Sequence, residues 1–362
     1  MEPTHESPDR DCSGELRERV LAAARARTPL AIRGGGSKAF YGREAVGEPL
    51  EMAVHRGIVA FEPTELYLTA RAGTPLAEIE AALAAAGQML GCESPAFGPA
   101  ATLGGTVACG FSGPRRPYVG ALRDFVLGMR LLNGAGELLH FGGQVMKNVA
   151  GYDVSRLQTG ALGTLGVLLE ISLKTLPRPA AERTLVQDVP LAALAIEQMN
   201  RWAGQPLPLS ASAWDGGRLY LRLSGATAAV AAACDKLGGE CLDAASAAAY
   251  WMSLREQTHA FFAGAAPLWR LSVAPSTPPL DLPGPMLIEW GGGQRWWRGG
   301  GEAARLHALA AAAGGHATLF RGGDRREVFQ PLAPALAALH ARIKASFDPH
   351  ALFNPGRLYA GL

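Results

Sequence analysis

Between Phe97 and Leu173 the chain repeatedly breaks short apolar runs with glycine. Leu103-Gly104-Gly105, Cys109-Gly110, Ser112-Gly113 and Gly163-Thr164-Leu165-Gly166 alternate with runs such as Phe125–Leu132 and Val167–Leu173. Glycine reaches positive φ and lets a backbone approach a ligand with no Cβ in the way. The apolar runs have strand length, and they hold the bends in a sheet. Backbone N–H groups at such bends suit a large, polyanionic, planar ligand, and a dinucleotide is the obvious candidate.

An earlier turn repeats the theme. Pro29–Arg33 reads as a short strand that runs into Gly34-Gly35-Gly36-Ser37-Lys38. Three successive glycines present successive N–H donors. The spacing is neither GxGxxG nor GxxxxGK[ST], so nicotinamide-Rossmann and P-loop readings fail. Taken alone, the turn is equally a plain surface loop.

The same words carry a resemblance. RGGGSK, then LGG after Pro99, then GPRRPYVGALRDFVLG, KNVAGYDVSRL and GTLGVLLEISLK stand in order. Together they resemble the FAD-binding domain of the vanillyl-alcohol-oxidase and PCMH superfamily. Within it the chain is similar to the FAD-binding subunits of bacterial glycolate oxidases, from about Leu30 to Pro179 and again in the tail. The fold implied is α+β: a PCMH-type FAD-binding domain of two α+β subdomains, a small α+β cap and a tail that returns to the FAD domain. In relatives the first glycine turn wraps the FAD pyrophosphate, the LGG segment covers the isoalloxazine and ribityl chain, and GTLG lies on the adenine and pyrophosphate side. The cofactor-binding set so implied is Arg33, Gly34, Gly35, Gly36, Ser37, Lys38, Pro99, Thr102, Leu103, Gly104, Gly105, Cys109, Gly110, Ser112, Gly113, Tyr118, Gly163, Thr164, Gly166, Val167 and Asn354. On this reading a Cβ at Gly35 or Gly104 would occupy the ligand's own space. Arg123 and Asp124 organise their loop through a local ion pair or touch the flavin, the ion pair being the commoner case; Lys147, Asn148, Tyr152 and Asp153 either face the flavin or hold their loop.

Outside the glycine region the chain reads as follows. Residues 1–13 are a loose leader, and 14–178 are the FAD domain. A helix spans Gly14–Arg27 with Ser13 as a possible N-cap. Strands at Ile58–Glu62 and Leu66–Ala70 precede a helix opened by Thr74-Pro75 and closed at Gly87. Leu176-Pro177-Arg178-Pro179 marks a boundary. The cap, 179–330, has strands at Arg218–Ser224, Leu268–Val273, Met286–Trp290 and Ala317–Phe320, with helices at Thr227–Leu237 and Glu302–Ala313, which suggests an antiparallel sheet. In 331–362, a helix at Pro334–Ser346 carries Leu332, Leu336, Leu339, Ile343 and Phe347 on one stripe. The tail FDPHALFNPGR follows, whose Asn354 approaches the flavin in relatives or merely forms a turn. Trp296-Trp297, between Arg295 and Arg298, is the best candidate for a docking surface.

The bulk numbers exclude several classes. A formal net charge of +2 without a Lys/Arg block gives no nucleic-acid footprint. No apolar run is long enough to span a membrane, and the polar, acidic start shows no export signal. Five cysteines without a CxxC read as reduced thiols with no iron–sulfur cluster motif. The eight histidines are scattered, so no metal pair is expected.

Flavin would supply the redox chemistry, and relatives oxidise a 2-hydroxy acid by hydride transfer from Cα to the flavin. That reaction needs a base for the hydroxyl proton and a cation for the carboxylate. The HxGDGNxH word of the catalytic flavoprotein subunit is missing here, so catalytic residues stay unknown. His316, Arg270 and Arg321 are the nearest candidates for substrate contact. Cys109 lies where relatives attach FAD, but no histidine stands near the first glycine turn, so non-covalent FAD is expected. Three readings remain open. The first is the FAD-binding subunit of a multi-subunit glycolate oxidase, cytoplasmic and tied to the inner membrane through its complex. Its partners would be a homologous flavoprotein subunit and an iron–sulfur subunit that feeds quinone. The second is a self-sufficient FAD-dependent 2-hydroxy-acid oxidoreductase, and the third a redox-silent flavin-binding subunit.

Overall fold

The computed structural model describes residues 9–143 and 153–362. Lys147, Asn148 and Tyr152 lie outside them. Residues 9–13 are not a loose leader. Arg10 exchanges backbone hydrogen bonds with Arg56, and Cys12 and Ser13 are buried. The first helix is Ser13–Ala26, so Ser13 is inside it and not its cap. Asp11 Oδ1 plays the capping part instead, accepting from the Ser13 N–H and hydroxyl.

In the N-terminal half, β1 (Leu30–Arg33) pairs in parallel with β2 (Glu48–Glu51). Then come β3 (Ile58–Glu62), β4 (Tyr67–Arg71), β5 (Gln88–Met89), β6 (Val126–Leu132), β7 (Leu138–Gly142), β8 (Val167–Lys174) and β9 (Leu176–Pro177). Five of them form an antiparallel sheet in the order β3-β4-β8-β6-β7, and β5 pairs with β9. The VLLEISLK run is buried on both faces because β8 lies mid-sheet between β4 and β6. The helix after β4 starts at Leu76, one residue later than Thr74-Pro75 suggests. The Thr74 hydroxyl is already engaged with the Gly57 N–H and C=O, so it caps nothing.

The cap holds β10 (Ala181–Asp188), β11 (Leu209–Trp214), β12 (Arg218–Gly225), β13 (Glu240–Cys241), β14 (Leu268–Ser272), β15 (Met286–Glu289), β16 (Gln294–Arg298) and β17 (His316–Arg321). They form one eight-stranded antiparallel sheet, β13-β10-β12-β11-β15-β16-β14-β17, larger than the small cap expected. Its two halves meet where β11 and β15 share two rungs, Ala213–Glu289 and Trp214–Ile288. One face packs Trp214, Leu221 and Ile288 under the helices Ala192–Ala203 and Thr227–Leu237, and Trp269 and Trp297 under Ala303–Ala312. The other face turns Ala213, Leu287, Trp296 and Phe320 toward Tyr41, Phe111 and Leu162 of the N-terminal half. Each large apolar side chain so buried contributes about 1.5–3 kcal/mol.

Trp296 and Trp297 therefore belong to the core, not to a docking surface. Both are buried within β16, and Arg295 just before them donates to the carbonyls of Gly292, Pro278 and Thr277. The tail does return. The Leu30 N–H donates to Leu352 O at 2.7 Å and the Asn354 N–H to Leu30 O at 2.9 Å, so the tail extends the β1–β2 pair. Buried Lys344 locks it by donating to Thr164 O, Phe353 O and Asp348.

Candidate functional site

The expected cofactor residues divide into groups. Gly34, Gly104, Gly105, Gly163, Gly166 and Asn354 line one cavity, joined by Ile32, Met52, Ala72 and Leu168. Two glycines of the expected set, one in this cavity and one in the turn beside it, are required by the protein itself. A Cβ on Gly35 would lie 1.4 Å from Ala100 O, and one on Gly104 2.7 Å from the Ala72 Cβ. The expectation that such a Cβ would fill the ligand's space is thus corrected: it would strike the neighbouring chain first. Thr102 caps the helix Leu103–Cys109 through its Oγ1, and Leu103 is core. The first amides of that helix are engaged, Leu103 N–H with Thr74 O and Gly104 N–H with Ala72 O.

The turn after β1 differs. The amide N–H groups of Gly34, Gly35, Gly36, Ser37 and Lys38 donate to no protein acceptor among the described residues. Lys38 is buried beside them. Its ammonium donates to Ala96 O at 3.1 Å and lies 5.9 Å from the Phe97 ring centre, with no carboxylate in ion-pair range among the described residues. Burial lowers its pKa, with nearby Cys109 and Glu256 working the other way. A run of free donors and an unpaired buried cation is the chemistry of an anion site. A pyrophosphate fits it.

Other expected residues do not reach this cavity. Val167 is buried in β8, and Thr164 is held by Ala161 O and Lys344. Gly110 packs against Gly160, and Arg33 is exposed at the end of β1. Pro99 lines a separate cleft with Phe97, Glu256 and Arg321. Ser112 and Gly113 line the joint with the cap. Tyr118 packs into the cap's apolar cluster, with its hydroxyl toward Ser212. Burial pushes the Cys109 thiol up to about 11. Asn354 is only 3 % exposed. Its Oδ1 accepts from the Ile32 N–H at 2.8 Å and its Nδ2 donates to Leu162 O at 2.7 Å. Asp124 caps Ala121 and faces Arg156, not Arg123, and Asp153 caps the helix Val154–Gln158.

Sequence reasoning missed the joint between the halves. Glu93 lies between Arg115 of its own half and Arg222 of the cap, at 3.3 and 2.8 Å. Arg115 also reaches Glu182 of the cap at 2.6 Å. Phe40, Tyr41, Phe97, Phe111 and Phe320 form an aromatic cluster with centroid spacings of 4.6–6.2 Å. Arg270 and Arg321 lie against its rings. Non-glycine residues with positive φ gather here too: Glu93, Phe97, Leu162, Gln257 and Trp290. Such strain concentrates at functional sites. Glu289 is the other miss; a lone carboxylate within the apolar strand MLIEW was the signal. Among the described residues no group of three or more His, Cys, Asp and Glu is placed to hold a metal.

Comparison with known proteins decides the family. Over 352 residues the chain is 50% identical to "Glycolate oxidase subunit GlcE" of Escherichia coli (strain K12), covering 97% of this chain and 99% of that one. The chain belongs to the GlcE family. Residues 11–142 of this GlcE-family chain match the FAD binding domain family. A shorter likeness, 38% over 85 residues, links it to "Glycolate oxidase subunit GlcD" of Bacillus subtilis (strain 168), covering 24% of this chain and 18% of GlcD. The fold is also that of alkyldihydroxyacetonephosphate synthase, with a TM-score of 0.65 at 15% identity over 94% of this chain and 74% of the synthase. Among the described residues, no helix of this GlcE-family chain is long and apolar enough to cross a membrane.

Proposed function

We propose that this chain is the FAD-binding subunit of a multi-subunit glycolate oxidase that converts glycolate to glyoxylate. The observation that carries the cofactor reading is the run of free amides from Gly34 to Lys38 beside the buried Lys38 ammonium. These groups would hold the pyrophosphate. Gly34, Gly104, Gly105, Gly163 and Gly166 would admit the adjoining parts of the dinucleotide, and Asn354 fixes the spacing of the walls. Bound FAD supplies a two-electron acceptor. The chain supplies position, exclusion of water and charge.

Attachment is non-covalent. A Cys109 thiol pushed up to about 11 stays protonated at neutral pH and is a poor nucleophile. The partners are a homologous flavoprotein subunit and an iron–sulfur subunit that carries electrons to quinone. The complex is cytoplasmic and lies on the inner membrane through those partners.

Purification of a tagged chain with its visible spectrum tests this reading. A yellow protein that releases FAD into solution on acid denaturation, and that co-purifies with two further subunits, is the expected result. A folded, colourless protein that takes up no added FAD overturns it.

A further inference from the structure

The helix Pro334–Phe347 does not bury its apolar stripe in a core. Of its residues only Lys344 is buried, and Leu336 and Leu339 stay exposed. Among the described residues, Leu332, Leu336 and Ile343 join none of the apolar core clusters. They wall a cavity of about 590 Å³ instead, and Leu157, Leu165 and Leu358 continue that wall. A hollow of this size with predominantly apolar walls has the dimensions of a small-molecule site. Exposed apolar side chains gathered at its rim point the same way.

The other end of the cavity is basic. Arg270 of β14 and His316 of β17 reach it from neighbouring strands of the cap sheet. The Tyr41 hydroxyl stands beside them, 3.5 Å from the Arg270 guanidinium. Arg270 has no carboxylate partner among the described residues, and no Asp or Glu among them lines the cavity. Lys344 also lines it, but Asp348, Thr164 O and Phe353 O already hold that ammonium. Partial burial lowers the His316 pKa, and the charges of Arg270 and Arg116 lower it further. The basic end thus carries positive charge that no lining carboxylate cancels. A molecule with an apolar body and one anionic end complements both ends of the cavity.

This cavity stands between the two hollows already described. Ala161 and Thr164 line it, while Leu162 and Gly163 between them line the glycine cavity. Arg270 lines it too, and also the small cleft of about 30 Å³ at the joint, where Glu289 lies. That cleft holds one or two water-sized molecules. The 590 Å³ cavity is the one with room for an organic ligand beside Arg270.

We propose that this cavity binds an amphipathic monocarboxylate, with its carboxylate on Arg270 and His316 and its apolar body along Leu332, Leu336 and Ile343. The Arg270 guanidinium donates N–H bonds to the carboxylate oxygens, and a His316 ring N–H donates another. The apolar body leaves water against the helix stripe. A molecule so placed bridges the cap strands, the 157–165 segment and the tail helix. Its binding transfers no electrons and uses none of the free amides from Gly34 to Lys38, so it stands or falls apart from the FAD reading.

Calorimetric titration of the full chain with decanoate, kept below its micelle-forming concentration, tests this. One decanoate per chain is expected, with a higher Tm when it is bound. Affinity should rise roughly fourfold per methylene from hexanoate to decanoate, as apolar surface leaves water. Decylammonium has the same body and the opposite charge, and should bind about tenfold or more weakly. Arg270→Gln should weaken decanoate by about 10–100-fold, the scale of one charge-assisted bond. If Arg270→Gln does not fold, Leu336→Asp decides, because that side chain is exposed on the helix and its loss leaves the fold standing. A carboxylate on that wall should weaken decanoate about tenfold or more, by repulsion and by loss of apolar surface. Decanoate that binds Leu336→Asp as tightly as the parent overturns the proposal, as does an affinity indifferent to chain length or to the sign of the head group. A chain that takes up no decanoate overturns it as well. If that chain is also a dimer which Leu336→Asp dissociates, the stripe belongs to a second copy.

Discussion

The cavity of Gly34, Gly104 and Gly163 and the cleft of Arg270 and Glu289 are built from opposite materials. The first is walled mainly by backbone and by apolar side chains, and its polar capacity lies in main-chain N–H groups. The second is walled by charged and aromatic side chains projecting from a sheet whose other face is a closed core. A backbone wall fixes geometry and tolerates little added volume. A side-chain wall can lose its chemistry to one substitution while the sheet beneath survives. Substitutions in the cavity should therefore act on stability and cofactor retention together, and those in the cleft should leave the backbone in place.

The largest expected effect comes from Gly35→Val. The new Cβ would sit 1.4 Å from Ala100 O, so the 98–102 turn must move. A cost of about 4 kcal/mol or more is expected, with loss of FAD. Thermal melting and flavin content measure both. A variant that keeps the parental Tm and its yellow colour would mean that the close approach, and with it the backbone wall, is wrong.

Next is Arg222→Ala, which tests the joint where the two materials meet. Burial alone would raise the Glu93 carboxyl, but Arg222 and Arg115 outweigh it and hold its pKa below the ordinary carboxylate value. Removing Arg222 strands part of a buried charge, at about 3–5 kcal/mol. The sign with pH follows. A depressed folded pKa gives stability that is present above the unfolded value and lost as pH falls through the folded one. The Tm gap between parent and variant should be widest near neutral pH and close in acid. A gap that is flat with pH would remove Glu93 from the account of the joint.

Lys38→Met should leave the fold standing and weaken FAD by about 10–100-fold, the scale of one charge-assisted bond to a phosphate. Burial already lowers the Lys38 pKa, so the free protein gains little from its charge. Fluorescence titration with FAD measures the effect. An unchanged affinity would move the anion away from this end of the turn.

The same contrast explains what the sequence disclosed. Glycine has few uses, so Gly34-Gly35-Gly36 and Gly163-Thr164-Leu165-Gly166 announce backbone bends wherever they stand, and the resemblance placed them in order. Strands such as Val167–Leu173 and Arg218–Ser224 were legible because burial on one or both faces writes itself into the residue pattern. The cap sheet was less so. Trp296-Trp297 beside Arg295 and Arg298 reads as a docking surface because aromatics and Arg are enriched at interfaces, whereas Arg295 finds three carbonyls that only the fold brings to it. Glu93 and Arg222 are 129 positions apart, and no local pattern announces their pairing. Asp124 pairs across to Arg156 for the same reason: an ion pair chosen by sequence proximity ignores which way the turn points.

Asn354 gives the smallest effect and the sharpest test, because it is a side chain working as part of the backbone wall. Its amide joins the Ile32 N–H to Leu162 O, which ties the strand before the first glycine turn to the turn at Gly163. Its own φ is +41°, a left-handed conformation that costs a residue with a Cβ about 1–2 kcal/mol. Asn354→Ala loses both bonds and keeps the strain; Asn354→Gly loses the same bonds and relieves it. Breaking the two bonds should cost about 1–3 kcal/mol by thermal melting, with Asn354→Gly recovering about 1 kcal/mol relative to Asn354→Ala. Retention of FAD should follow the bonds and not the strain, so both variants should lose cofactor to the same extent. If Asn354→Gly holds FAD as well as the parent does, the amide is not what spaces the walls, and the left-handed turn alone accounts for an asparagine at this point.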